Sequence, residues 1–435
     1  MKIYISKKKS FSFLAIALTM LYAFSLGLES YIYHNMYVMW FSMVVALILV
    51  MLSCNRIPKL QRSDILVAIM LLFILCDHNA NILRGDYTDA VDYIFIFILY
   101  WLLSSYNLWQ RSLLYVIATA GVFYAIMTIV CKYSPSFFHN FVYPLFASFG
   151  YGKELINDYK EGFIPGFTPH TSANGMYLTI GLGATITSLF SRLTKKKIIN
   201  VILSILILYA LLLTGKRGDL IFAVAGAFLV YYVNSADHKY GRIIKVIGIA
   251  IIVSVILVVF ANFIPVLNNF LLKFQLAEQN SGDIMYGRII IWAQAALSFQ
   301  KNYLLGIGWD GFKYYYLQNF HSFLNVHMVY LQLLCEVGIL GSISFFTFFA
   351  LNFYKCLTCL SKMRKLKLLT NSITERILAF ALFVQTYFLL YSLSGNPLYD
   401  KMVLFPYICS CAVGSYYYLN LQKSLNQKKL SGGEL

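Results

Sequence analysis

The sequence predicts an all-α polytopic membrane protein of about twelve transmembrane helices, and three observations carry that expectation. Hydrophobic residues make up 60% of the 435-residue chain and charged residues only 12%, whereas soluble domains are nearer half apolar and a quarter charged. The apolar residues fall in runs long enough to cross a bilayer, which takes about 20 residues per helix. The basic residues behind the formal net charge of +17 sit in short clusters between those runs, the positive-inside pattern. No long polar segment remains from which a soluble domain could be built, so residues 1–435 read as a single membrane domain.

Taken in order, Lys7-Lys8-Lys9 precedes a first apolar run at 11–28. A signal peptide begins the same way, but Glu29-Ser30-Tyr31 is no small-residue cleavage site, so this run is expected to stay as a helix. Further spans are expected at roughly 37–54, 64–82, 90–106, 110–131, 173–191, 198–214, 219–234, 243–264, 328–354, 374–394 and 401–421. The 64–82 run is the weakest, because Asp77, His78, Asn79 and Asn81 interrupt its far end. Only the tight turn Gly215-Lys216-Arg217-Gly218 separates the 198–214 and 219–234 spans. Clusters such as Arg56/Lys59/Arg62, Lys195-Lys196-Lys197 and the stretch from Lys355 to Arg376 fall on one side when the N-terminus is cytoplasmic. Both termini are therefore expected inside, with an even number of spans.

The same distribution argues against a nucleic-acid partner, which needs basic residues gathered on one soluble face. The eight cysteines, Cys54, Cys76, Cys131, Cys335, Cys356, Cys359, Cys409 and Cys411, all lie in or beside apolar runs. Cys356-x-x-Cys359 and Cys409-x-Cys411 lack a second half with zinc spacing and read as small buried hydrophobes.

Two outer segments are long, 132–172 and about 265–327. Long loops in compact proteins are functional or disordered, and the aromatic, Gly and Pro content of these two favours order. In the second, apolar residues at 285, 289, 292, 296 and 299 predict an amphipathic helix over 284–299, with Arg288 and Trp292 on one face.

Chemistry concentrates at the outer ends of the spans. Thr214-Gly215-Lys216-Arg217-Gly218-Asp219 puts charges where they are costly unless they meet water, a partner or a ligand. Arg217 and Asp219 could form a structural ion pair; alternatively Lys216 and Arg217 form an anion site, since a guanidinium matches phosphate oxygens. Arg288 is a second anion ligand, or an interfacial arginine on the loop helix. His327, ending the long loop in Asn325-Val326-His327-Met328-Val329-Tyr330, is a helix-end residue or a general base. His170 and Asn174 lie in the polar stretch from Gly166 to Gly175, and with Lys216, Trp292 and His321 they are the candidate substrate-binding residues. His139 is a further outer histidine, but no histidine pair has helical ligand spacing, so no metal is expected. Gly306-x-Gly308-x-x-Gly311 matches a dinucleotide fingerprint, yet follows a predicted helix without any βαβ unit, and reads as a turn.

Together these residues resemble the O-antigen ligase / Wzy polymerase superfamily. The pattern is Thr-Gly-Lys-Arg-Gly between two spans, Gly287-Arg288 with Trp292 in a loop helix, and Asn302-Tyr303-Leu304-Leu305-Gly306-Ile307-Gly308 with Phe312. His327 then precedes Tyr330-Leu331-Gln332-Leu333-Leu334-Cys335-Glu336-Val337-Gly338-Ile339-Leu340-Gly341. The resemblance covers about 205–345; many members carry Asn after the histidine, where this chain has Met328. It implies a glycosyltransferase type C-like fold and a metal-independent enzyme without cofactor. Its substrates would be undecaprenyl-diphosphate-linked glycans, used at the outer face of a bacterial inner (plasma) membrane. Arg217 and Arg288 would bind the diphosphate and His327 would sit beside the reacting groups. A polymerase, which joins lipid-linked repeat units for O-antigen or capsule and can work with a chain-length regulator, fits the Gly-Lys-Arg-Gly turn better than a ligase. A ligase would transfer the chain to a lipid A-core or other acceptor. A lipid-linked sugar flippase would line the midplane of its spans with charges, and here the span interiors are nearly charge-free.

Overall fold

The computed structural model describes residues 61–75, 88–148, 150–191, 197–233, 288–366, 369 and 372–430, and these are helical and without strands. The expected spans at 11–28, 37–54 and 243–264, and both termini, lie outside the described residues. The principal helices are α1 (Arg62–Leu75), α2 (Thr88–Leu103), α3 (Leu108–Tyr133), α4 (Gly152–Lys160), α5 (Thr171–Phe190) and α6 (Lys197–Leu213). They continue with α7 (Arg217–Val233), α8 (Arg288–Lys301), α9 (Phe312–Phe320), α10 (Val329–Lys365), α11 (Ser372–Tyr391) and α12 (Lys401–Leu430). Within α3, α10, α11 and α12, four stretches are long and apolar enough to cross a membrane, and α1, α2 and α6 contain shorter apolar ones.

The bundle is organised around α5, which the sequence marks only as one span among several. Its Gly and Thr content makes it narrow rather than greasy. Gly181 lies against Gly121 of α3, where an added Cβ would stand 2.5 Å from the neighbouring Cα, and Gly183 receives the ring of Phe383 from α11. The hydroxyls of Thr185, Thr187 and Ser188 bond to carbonyls three or four residues back, so the buried helix satisfies these three polar side chains by itself. Large apolar side chains point outward on the peripheral helices: Ile198, Ile202 and Ile205 on α6, and Ile221 and Val224 on α7, are all more than half exposed. A lipid environment makes that arrangement favourable.

At the other end from the loops, the same bundle contains a closed polar cluster. Tyr100 shares hydrogen bonds with Asn352 and Ser415 at 3.2 and 2.9 Å. Ser415 also donates to Asn352 Oδ1 at 3.2 Å and accepts from Lys355 Nζ at 3.1 Å.

Both long loops are ordered where described. The first folds into short helical turns and α4, over a small core of Phe138, Val142, Phe146, Leu155 and Ile164. The second carries α8 and α9 with a core that includes Ile291, Ala295, Phe312, Tyr316 and Val326. Helix α8 begins at Arg288, and its buried stripe is Ile291, Ala295 and Ser298, with Ile289 56% exposed. The predicted stripe is thus rotated, because small Ala and Ser side chains allow the close approach to α10 that Ile289 would prevent.

Helix α10 is broken at Gly338, whose φ of 62° and ψ of −169° are non-helical. A Cβ there would meet the Leu304 carbonyl oxygen at 2.3 Å, so this conformation and this contact both require glycine. The break frees backbone groups that the Gly306 turn then uses. Ile307 N–H donates to Cys335 O at 3.0 Å, Gly308 N–H to Glu336 O at 2.7 Å, and Ile339 N–H to Tyr303 O at 2.8 Å. The fully buried Glu336 carboxylate accepts from Asp310 N–H at 2.9 Å, Phe312 N–H at 3.3 Å, Gln332 at 3.0 Å and the Tyr399 hydroxyl. The Gly306-to-Gly311 motif is therefore a turn buttoned onto a helix break.

Candidate functional site

A cavity of about 690 Å³ opens where the N-terminal ends of α5, α7 and α8 meet the end of the second loop and the α11–α12 turn. Its lining includes Lys216, Arg217, Arg288, His170 and His327. Sequence positions more than 150 residues apart are thus gathered at one place.

Local structure explains each placement. Ile164 N–H bonds to Leu213 O at 2.9 Å, and Gly215, with φ of 67°, lets Phe163 pack where a Cβ would lie 2.3 Å from its ring. The first long loop thereby clamps the turn, and α7 starts at Arg217 with its first residues on the cavity. Arg288 Nη1 donates to Ser394 O at 2.7 Å, which ties the loop helix to the α11–α12 turn. His327 is held from both flanks: Trp292 Nε1 donates to Val326 O at 2.9 Å, and Val329 N–H donates to Ser392 O at 2.9 Å. His327 itself has φ of 56°, a left-handed conformation uncommon for a non-glycine residue and of the kind found at binding and catalytic sites.

His170 is the N-cap of α5, and its Nδ1 accepts from Ala173 N–H at 3.0 Å. In the neutral ring the proton is therefore on Nε2. Burial, with the Lys216 charge, lowers the pKa of His170 to about 4. Burial, with Arg288, lowers that of His327 to about 4. Burial also lowers the Lys216 pKa, against the carboxylates of Asp158, Asp219 and Glu154. It raises Asp400, helped by Asp219, to about 6. The site at neutral pH thus holds two neutral imidazoles beside three cations, Lys216, Arg217 and Arg288, and three acids, Glu161, Asp219 and Asp400. Asp219 is buried and accepts from the Tyr387 hydroxyl at 2.7 Å.

Three of the candidate substrate-binding residues lie off the cavity lining. Asn174 is fully buried, and its Nδ2 donates to Thr128 Oγ1 at 2.8 Å and Ile164 O at 3.3 Å, which commits the amide nitrogen to packing, while its Oδ1 accepts from no described residue. Trp292 positions the backbone before His327. His321 closes α9 in a left-handed conformation and is exposed. Sequence reasoning missed Glu161, Tyr391, Asn396, Tyr399 and Asp400, which do line the cavity. The signal was Ser394-Gly395-Asn396-Pro397, a polar break at the end of an apolar run, followed by an acid at Asp400.

No curated protein matches the chain. Residues 202–346 match the family model described as O-antigen ligase, a segment that includes the Gly-Lys-Arg-Gly turn, α8, the Gly306 turn, His327 and the broken end of α10. Residues 202–346 are thus similar to the O-antigen ligase family, within a chain whose described helices include four long and apolar enough to cross a membrane.

Proposed function

We propose that the protein is a polysaccharide polymerase. It joins undecaprenyl-diphosphate-linked oligosaccharide repeat units at the outer face of a bacterial inner membrane and releases undecaprenyl diphosphate. About twelve spans, with both termini cytoplasmic, belong to the same proposal. The observation that carries it is the convergence of Lys216, Arg217 and Arg288 with His327 on one cavity. Cations so placed suit a leaving group that develops diphosphate charge.

The chemistry balances with protein groups alone. An acceptor sugar hydroxyl attacks the anomeric carbon of the lipid-linked chain. The bond from that carbon to the phosphate oxygen breaks, its electron pair leaves with the diphosphate, and the hydroxyl proton passes to His327. His327 suits this task because it is neutral at pH 7, and a bound diphosphate offsets the Arg288 field and raises its basicity. His170 has its Nδ1 occupied by a backbone N–H and serves as an Nε2–H donor to a substrate oxygen.

A ligase reading has one specific observation in its favour, the description of the matching family model. Purified protein given lipid-linked repeat units and no other acceptor separates the two. Chain lengthening is the expected result. Transfer only when a lipid A-core or another acceptor is added would replace the polymerase with a ligase.

A further inference from the structure

The cavity lining changes character along its wall. Lys216, Arg217 and Arg288 supply cations, while the α11–α12 turn supplies an amide, aromatic hydroxyls and a carboxylate through Asn396, Tyr391, Tyr399 and Asp400, with Asn325 beside His327. We propose that this turn, together with Asn325, is a binding subsite for the sugar ring attached directly to the diphosphate. The proposal rests on the diphosphate reading of the cationic wall.

Adjacency comes first. Arg288 Nη1 bonds to Ser394 O at 2.7 Å, and Asn396 follows two residues later on the same turn. The anomeric carbon of a glycosyl diphosphate is one oxygen atom from phosphorus. A ring whose phosphate meets Arg288 must therefore lie against the cation-free surface next to it, and that surface is this turn.

The surface has the chemistry of a pyranose site: flat rings held in place, with a few convergent hydrogen-bonding groups. Tyr391 is stacked on Tyr387 at 5.5 Å between centroids, and Tyr399 on Trp309 at 5.0 Å. The Tyr399 hydroxyl is anchored on Glu336, and Asp400 N–H bonds to Asn396 O at 3.1 Å. The turn is thereby fixed before a ligand arrives, which lowers the entropy lost on binding.

Two amides are left in a state that a ligand can improve. The side-chain oxygens of Asn325 and Asn396 are buried and accept no hydrogen bond from any described residue. Such stranded acceptors are unfavourable and uncommon in native structures. Both residues line the cavity, so a sugar hydroxyl bound there is a donor that each oxygen lacks.

The test compares two probes on the purified full chain in lipid nanodiscs: a polyprenyl diphosphate, and the same lipid carrying one pyranose. Wild-type protein is expected to bind the glycosylated probe about ten-fold tighter, the effect of one or two new hydrogen bonds. Asn396→Leu should bind the bare diphosphate as wild type does and lose most of that increment. Asn325→Ala, on a separate segment, should lose part of it, and guards against a local folding defect at the turn. Equal binding of the two probes by wild type, or an unchanged increment in both variants, overturns the subsite while leaving the diphosphate reading intact. Failure of wild type to bind either probe overturns both.

Discussion

The two polar clusters of the bundle differ in one respect that explains their roles. At the end remote from the loops, Tyr100, Asn352, Lys355 and Ser415 are joined in a closed set of hydrogen bonds. At the loop end, Lys216, Arg217, Arg288 and His327 line a cavity of about 690 Å³. Both clusters sit among apolar helices where an unmet polar group is costly. A closed network settles that cost internally and holds helices together. An open one keeps its charged groups within reach of whatever enters.

The sharpest way to break this contrast is at Arg288. Arg288→Ala should lower turnover of lipid-linked units by about 10² to 10³, the effect of losing one transition-state contact, with a modest fall in melting temperature from the lost bond to Ser394 O. A loss of turnover no larger than the loss of folded protein would make the cavity cluster as structural as the closed one. Gly338→Ala comes next, because its Cβ must displace the Leu304 carbonyl and its φ is positive. It should cost about 1–3 kcal/mol of stability, read by thermal melting in detergent, and activity should fall with the folded fraction.

At the closed cluster the expectation reverses. Asn352→Leu leaves the Tyr100 and Ser415 hydroxyls without their shared acceptor. It should cost about 1–3 kcal/mol of stability while the rate per folded molecule stays as in wild type. A rate loss at unchanged stability would mean that the closed network communicates with the cavity.

The smallest effect concerns pH. With His327 held near 4 by burial and Arg288, the base is unprotonated over the neutral range. The kcat/KM profile, which reports the free enzyme, should therefore stay level as pH falls from 8 to roughly 5 and drop only toward 4. The limb in kcat should lie higher, since bound diphosphate favours the imidazolium. A kcat/KM limb near the ordinary histidine value of 6.5 would remove the Arg288–His327 coupling from the mechanism. Stability follows the same sign. A histidine whose folded pKa is depressed stabilises the fold above its unfolded value, and that contribution is lost as pH falls through 6.5 toward 4.

What could be read from residues alone follows the same divide. Lys216, Arg217, Arg288 and His327 stand out because ionisable groups at the ends of apolar spans are conspicuous against their background. The α11–α12 turn does not, since Asn, Ser and Tyr at a loop read as ordinary solvated residues. Asn174 misled for a related reason. Its partner Thr128 is 46 residues away, so nothing local distinguishes a packed amide from one that faces a ligand. The break at Gly338 is invisible in the hydropathy of 328–354, because it is imposed by contact with Leu304 from another segment.

The buttoning of the 303–312 turn onto the break in α10 has a consequence for how the chain can vary in length. Residues from Tyr303 to Phe312 are paired with Cys335, Glu336 and Ile339 in fixed register, so one residue added or removed there would shift Arg288 on one side relative to His327 on the other. The stretch from Lys313 to Leu324 makes no such ladder, and its residues Leu317, Phe320, Phe323 and Leu324 are exposed. Insertions and deletions among relatives should therefore collect in that stretch and be rare in the turn. The spacing between the cation and the imidazole is then set by the register of the ladder, not by the length of the loop that joins them.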